Sequence, residues 1–229
     1  MRIIDKPSKY SKEYLMKLFQ YTLGEDIANA ITHTVGAFFG LYALINLTWI
    51  AARYGNWLDS LAFIFYGLTI LFAFVMSSIY HSMVNHTARS IFKKMDHISI
   101  YWLIFGTYTP YVFSLLKTKE SYIIYSIVFS LAAIGTIFKS LYAGKFKIIS
   151  TIVYVMMGWA IIWVLPQIIH SISPLGLWFM AIGGFSYTIG AILYAFGRFR
   201  YSHMVWHIFV ILGVLFQFIS VNFFILQHR

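Results

Sequence analysis

The sequence predicts an all-α integral membrane protein, a bundle of seven transmembrane helices. Of its 229 residues 60% are hydrophobic and only 10% charged, too little polar surface to coat a soluble core of that size. The apolar residues gather in seven runs, each near the roughly 20 residues that cross a bilayer as helix. Within each run the apolarity is continuous, without the alternation that a membrane barrel requires.

The elements follow in order. The first 20 residues carry Arg2, Lys6, Lys9, Lys12 and Lys17 with no apolar run, so no cleavable signal peptide is read there. Tyr10 to Ala30 mixes apolar and charged residues at helical spacing, which predicts a short amphipathic surface helix. Spans are expected at residues 30–52, 58–81, 97–116, 121–138, 148–166, 174–197 and 204–226. With a cytoplasmic segment 1–29 they make a single domain, residues 1–229. Pro110, closing Gly106-Thr107-Tyr108-Thr109-Pro110, should kink the third span, leaving Tyr108 and the threonines to line a cavity. On the sixth span Gly176, Gly183, Gly190 and Gly197 recur every seven residues, a stripe that lets another helix pack closely. Trp49, Trp57, Trp102, Trp163 and Trp178 fall toward span ends, where interfacial anchors belong.

The formal charge of +10 is explained by topology. Thirteen of the 17 basic residues fall on the N-terminal side of the spans, including the loop of Arg89, Lys93 and Lys94; Arg53, Lys117, Lys119 and Arg229 fall opposite. The positive-inside rule then puts the N-terminus in the cytoplasm and the C-terminus outside. No nucleic-acid partner is needed to account for the charge. With no cysteine in the chain, a metal would be held by nitrogen and oxygen.

The polar residues can now be placed by depth. His203 and His207 open the seventh span four residues apart, so both imidazoles project from one helix face, about 6 Å apart along the axis. Ser77 and His81 end the second span and Asp96 and His97 begin the third. Three helix ends therefore bring His81, Asp96, His203 and His207 to one level on the cytoplasmic side. Ionisable groups at that depth are costly, and function is the default reading. Three imidazoles and a water would hold one zinc ion in the manner of a catalytic site, suited to hydrolysis of an amide or ester. Asp96 would serve as general base or as a brace for a histidine ring, and Ser77 would hydrogen-bond a substrate oxygen or the metal's water. Haem is disfavoured, since its two histidines approach from opposite faces of the ring.

Glu25, Asn29 and His33, at four-residue spacing, form a polar stripe where the first span begins. It either braces the metal ligands as a second shell or bonds neighbouring helices. His97 points about 100° away from Asp96 on a helix and is left outside the site. His86 in a basic loop and His228 at the tail are read as solvated, and His170 is placed on the outer side, away from the cluster.

These motifs resemble the hemolysin III family: Glu25-x-x-x-Asn29-x-x-Thr32-His33, Ser77-x-x-x-His81, Asp96-His97 with Gly106-Thr107-Tyr108-Thr109-Pro110, Gly183-Gly184-x-x-Tyr187-Thr188-x-Gly190 and His203-x-x-x-His207. The likeness runs from Thr22 to Phe224. It implies kinship with the progestin and adipoQ receptors, which include the adiponectin receptors, and more distantly with alkaline ceramidases. By motif it implies zinc on His81, His203 and His207, with Asp96 on the zinc-bound water. It also implies a metal-dependent hydrolase of a ceramide-like lipid in a bacterial cytoplasmic membrane, the membrane lipid being substrate or ligand. The long N-terminal extension of the animal receptors is missing and the outer loops are short, so no protein hormone is expected. Two rival functions stay open: a membrane sensor or receptor whose zinc is structural, and a lytic membrane protein. The oligomeric state is not legible.

Overall fold

The computed structural model describes residues 20–227. Thr22 starts the first helix: its hydroxyl accepts from the Glu25 amide while the Glu25 carboxylate accepts from the Thr22 amide. This reciprocal cap satisfies two of the amides that a helix start leaves unpaired, and α1 (Leu23–Tyr54) follows. The expected surface helix over 10–30 is therefore corrected in its second half. Residues 10–19 lie outside the described residues, and Leu23 to Ala30 are the first turns of α1 itself. Asn56 and Asp59 form the same reciprocal cap on α2 (Trp57–Ser82), and Asn85 caps α3 (His86–Pro110).

The chain continues through α4 (Lys119–Tyr142) and α5 (Lys147–Trp159). A 3₁₀ stretch Ala160–Val164 leads without a break into α6 (Leu165–Ser171), followed by α7 (Pro174–Phe196) and α8 (Ser202–Phe224). No strand occurs among the described residues. Helices α1, α2, α3, α5, α7 and α8 pack in that order as a ring, with α8 closing on α1 and α4 lying outside against α3.

Among the described residues six rods are long and apolar enough to cross a membrane: α1, α2, α4, the continuous Lys147–Ser171 rod, α7 and α8. The apolar stretch expected at 97–116 falls outside this set because Pro110 divides it. The α-helix before Pro110 carries Arg89, Lys93, Lys94 and Asp96, and the rest, Tyr111–Leu116, is a π-helix. Proline lacks the N–H that would bond the carbonyl four residues back. The Thr109 hydroxyl takes over that carbonyl, reaching Gly106 O at 2.6 Å and Ala62 O of α2 at 2.9 Å. The wider turns and the left-handed Lys117 (φ 56°) then end the helix. Tyr108 lines a cavity, as expected, and its hydroxyl donates to Met157 O and Gly158 O, just where α5 tightens into the 3₁₀ stretch.

The heptad glycines of α7 pack on α8: a Cβ on Gly176 would meet Phe224 Cβ at 2.7 Å, and one on Gly190 would meet Phe209 Cβ at 3.0 Å. Of the expected tryptophan anchors, Trp49, Trp57, Trp163 and Trp178 are exposed on the apolar outer surface. Trp102 is not: its indole donates to Thr136 of α4 at 3.1 Å and joins two helices, because an indole N–H facing a neighbour's hydroxyl is better satisfied there than in hydrocarbon.

Glycines let α1 and α2 approach closely, backbone to backbone. A Cβ on Gly67 would lie 2.8 Å from Leu44 Cα, and one on Gly40 would lie 3.0 Å from Leu71 Cα. Backbone cannot step aside as a side-chain tip can. Gly67→Ala should therefore lower stability by about 1–3 kcal/mol, read as a lower thermal midpoint in detergent; an unchanged midpoint would show that the two helices have room to separate.

Candidate metal centre

The buried seam of α1 runs through Asp26, Asn29, His33, Gly36, Gly40, Ala43 and Leu47, alternating steps of three and four as a helix face must. Its first three members are polar, and against them come the last turn of α2, with His81, and the first turns of α8, with His203 and His207. The imidazole of His81 lies 5.2 Å and 5.3 Å, centroid to centroid, from those of His203 and His207, which are themselves 4.6 Å apart. One ring nitrogen from each histidine lies within 4.8 Å of the other two, a grouping that could hold a metal ion.

Hydrogen bonds at Nδ1 set the tautomer of two of these rings. His81 Nδ1 is 2.9 Å from Asp26 Oδ1, and an ionised carboxylate only accepts, so Nδ1 carries the proton. The Thr32 hydroxyl, 3.2 Å from His207 Nδ1, lies 2.9 Å from both Ala28 O and Asn29 O. With its hydrogen directed to a carbonyl, its lone pair receives the proton of Nδ1. Both rings are thus set as the tautomer whose Nε2 is a bare donor. The Nε2 atoms of His81, His203 and His207 are all buried and have no hydrogen-bond partner. Three neighbouring imidazole Nε2 atoms left unsatisfied together would be a steep penalty in a plain hydrophobic core; clustered imidazoles are the donor set that zinc takes. The residues fit the ion.

Around these ligands, Tyr21 stacks on His203 with 4.7 Å between centroids and also faces His81 at 5.6 Å; burial pushes its phenol well above the usual tyrosine range. Trp206 packs 4.7 Å from His203 and 5.0 Å from His207. Arg89 donates to Asp26 Oδ2 at 2.6 Å and to Met83 O at 2.9 Å, with its guanidinium over the Tyr80 ring. The expected loop at Arg89 and Lys93 is therefore corrected: both sit in α3, buried, with Asp26 pairing the arginine inside. His86 is exposed at the first turn of α3, and His170 is exposed at the end of α6.

The stripe read as Glu25, Asn29 and His33 is divided by the structure. The Glu25 carboxylate accepts from Thr22 and, at 3.1 Å, from the Tyr201 amide just before α8. It therefore sets where α8 begins and touches the ligands only through that backbone. Asn29 Nδ2 comes within 3.5 Å of His81 Nδ1. His33 lies flat on His207, 3.5 Å between centroids and 13° between planes, with both its ring nitrogens unpartnered. Asp26, one residue from Glu25, and Arg89 are the contacts that sequence reading missed. The three-four spacing of the seam points to position 26, whereas four-residue steps from His33 lead to 25.

Asp96 is buried, its carboxylate 3.6 Å from His97 Nδ1, which itself bonds Lys93 O at 2.7 Å. Ser77, one turn before His81, has a buried hydroxyl without a partner. A cavity of about 380 Å³ runs inside the ring with His33, Asp96, Tyr194 and Trp206 on its wall, beside the histidines. Most of its remaining lining is apolar or aromatic, from α3, the Lys147–Ser171 rod and α7.

The family model for haemolysin-III related proteins matches residues 21–218. The chain belongs to the hemolysin III family. Among hemolysin III relatives it is 36% identical over 204 residues to the hemolysin-3 homolog of Bacillus subtilis (strain 168), covering 89% of this chain and 96% of that one. It is 33% identical over 214 residues to hemolysin-3 of Bacillus cereus, covering 93% and 97%. A more distant relative is the progestin and adipoQ receptor-like protein 1 of Caenorhabditis elegans, 26% identical over 193 residues and covering 76% of this chain and 43% of that one. This hemolysin III protein is a membrane protein by its apolar rods, and its candidate metal centre falls inside the matched region.

Proposed function

We propose that the protein is a zinc-dependent hydrolase of a lipid amide or ester, ceramide-like in chemistry, in a bacterial cytoplasmic membrane. In this reading α3 and its π-helical extension form a seventh span, giving a cytoplasmic N-terminus, an outer C-terminus and a site at the inner leaflet. The excess of basic residues on the N-terminal side supports that orientation. The observation that carries the proposal is the cluster of His81, His203 and His207, each with a buried, unpartnered Nε2, beside a largely apolar cavity with one carboxylate on its wall.

His81, His203 and His207 would hold the ion. A zinc ion held there supplies Lewis acidity toward a carbonyl and toward water. The protein does the rest. The cavity takes the acyl chain and keeps bulk water away, and Asp96 on its wall accepts the proton of the attacking water as general base. Ser77 donates its free hydroxyl hydrogen to the substrate oxygen, and Trp206 and Tyr21 close off the ligand rings from solvent.

The test is turnover of a panel of ceramides and other lipid amides and esters by purified protein. Expected is hydrolysis of at least one class, abolished by a chelator and restored by zinc. Hydrolysis indifferent to the chelator, or none across the panel, overturns the proposal. A structural zinc is the second reading, favoured by the way the ligands come from two helices and are braced by a third, α1.

A further inference from the structure

Arg89 is the largest fully buried side chain among the described residues, and no part of the proposed chemistry uses it. A buried guanidinium is expensive unless paired and hydrogen-bonded. Here it is bonded at 2.6 Å to Asp26, whose other oxygen holds His81 Nδ1 at 2.9 Å. Three elements thus meet in one line: Arg89 from α3, Asp26 from α1 and His81 from α2. We infer that Asp26 is a positioning residue for the metal ligand His81, and that Arg89 sets the orientation of the Asp26 carboxylate. The inference rests on the reading of the three histidines as a metal site, but not on hydrolysis.

The physical argument has two parts. An imidazole can turn about its Cβ–Cγ bond and exchange its proton between two nitrogens; either change takes Nε2 out of the site. The carboxylate bond to Nδ1 fixes both and makes Nε2 a stronger donor. The carboxylate in turn could rotate, and Arg89 prevents that by a short charge-assisted bond to the second oxygen. His207 has neutral partners in the corresponding place, the Thr32 hydroxyl and the Asn29 backbone, so the charged brace is concentrated on the single histidine that α2 supplies. Asp26 and Arg89 act through His81, and neither is assigned contact with substrate.

The experiment measures metal affinity of full-length protein in detergent by competition with a chromophoric chelator, using zinc and, for its ligand-field spectrum, cobalt(II). Asp26→Asn keeps an oxygen able to accept from His81 but loses the charge and places an amide donor toward Arg89. It should weaken zinc binding about 10- to 100-fold and alter the cobalt spectrum. Arg89→Lys keeps the positive charge with a different shape and should weaken binding less, with a smaller spectral change. Wild-type affinity and spectrum in both variants overturn the inference. If Asp26→Asn does not fold, Arg89→Lys decides: an unchanged affinity and spectrum overturn it. A wild type that binds neither ion instead overturns the metal reading, a separate outcome.

Discussion

His207→Ala protein is expected to purify with almost no zinc, against about one ion per chain for the wild type. The affinity of a structural zinc site is on the order of 10–16 kcal/mol shared among its ligands, so removing one nitrogen of three weakens binding by at least about two orders of magnitude. The loss is sharpened by position. His207 is fully buried, and its ring is held by Thr32 on one edge and by His33 across its face, so alanine removes a nitrogen that the fold holds in a fixed place. Elemental analysis reads the metal and a lipid hydrolysis assay reads the consequence, which should be loss of turnover to background. The thermal midpoint then separates the two readings of the ion. A catalytic ion leaves the midpoint within the few degrees expected for a buried truncation, whereas a structural ion takes the fold with it. Wild-type metal content in the variant would remove His207 from the site.

Asp96→Asn should do the converse: keep the metal and the fold, and lose turnover. The substitution preserves size and abolishes the basicity needed to accept a proton, which is worth typically about 10²- to 10⁴-fold in rate. The effect should fall on kcat with little change in KM, because the apolar wall that takes the lipid chain is untouched. Wild-type kcat in the Asp96→Asn variant would assign the base elsewhere. Loss of zinc from that variant would move Asp96 from the base role to a metal-holding one.

The membrane class and the three histidines were legible in the sequence, each for a different reason. Hydrocarbon enforces long apolar runs, so seven of them could be counted; it also penalises any ionisable group, so the histidines stood out. What the runs hide is division within them. The Pro110 break left 97–116 α up to the proline and π beyond it, and the Lys147–Ser171 rod contains a 3₁₀ stretch that no apolarity pattern marks. The site was less legible beyond its ligands. Arg89 reads as one more cytoplasmic cation, since its burial depends on a carboxylate 63 positions away. Asp26 was obscured by Glu25, its neighbour in sequence but on a different face of α1. Such pairings are set by tertiary packing, and the composition around either residue carries no trace of them.

The cavity wall has one further consequence. Ile162, Ile169, Trp178 and Phe185 line the cavity and are also between 48% and 65% exposed on the outer apolar surface. A wall one side chain thick separates the interior from the surrounding hydrocarbon. For a lipid substrate, loading through it is a partition out of the bilayer, and the concentration that governs the rate is a mole fraction in two dimensions. Under the proposed hydrolysis, adding inert detergent at constant bulk substrate should then slow turnover by surface dilution, while changing the aqueous volume at constant lipid composition leaves it alone.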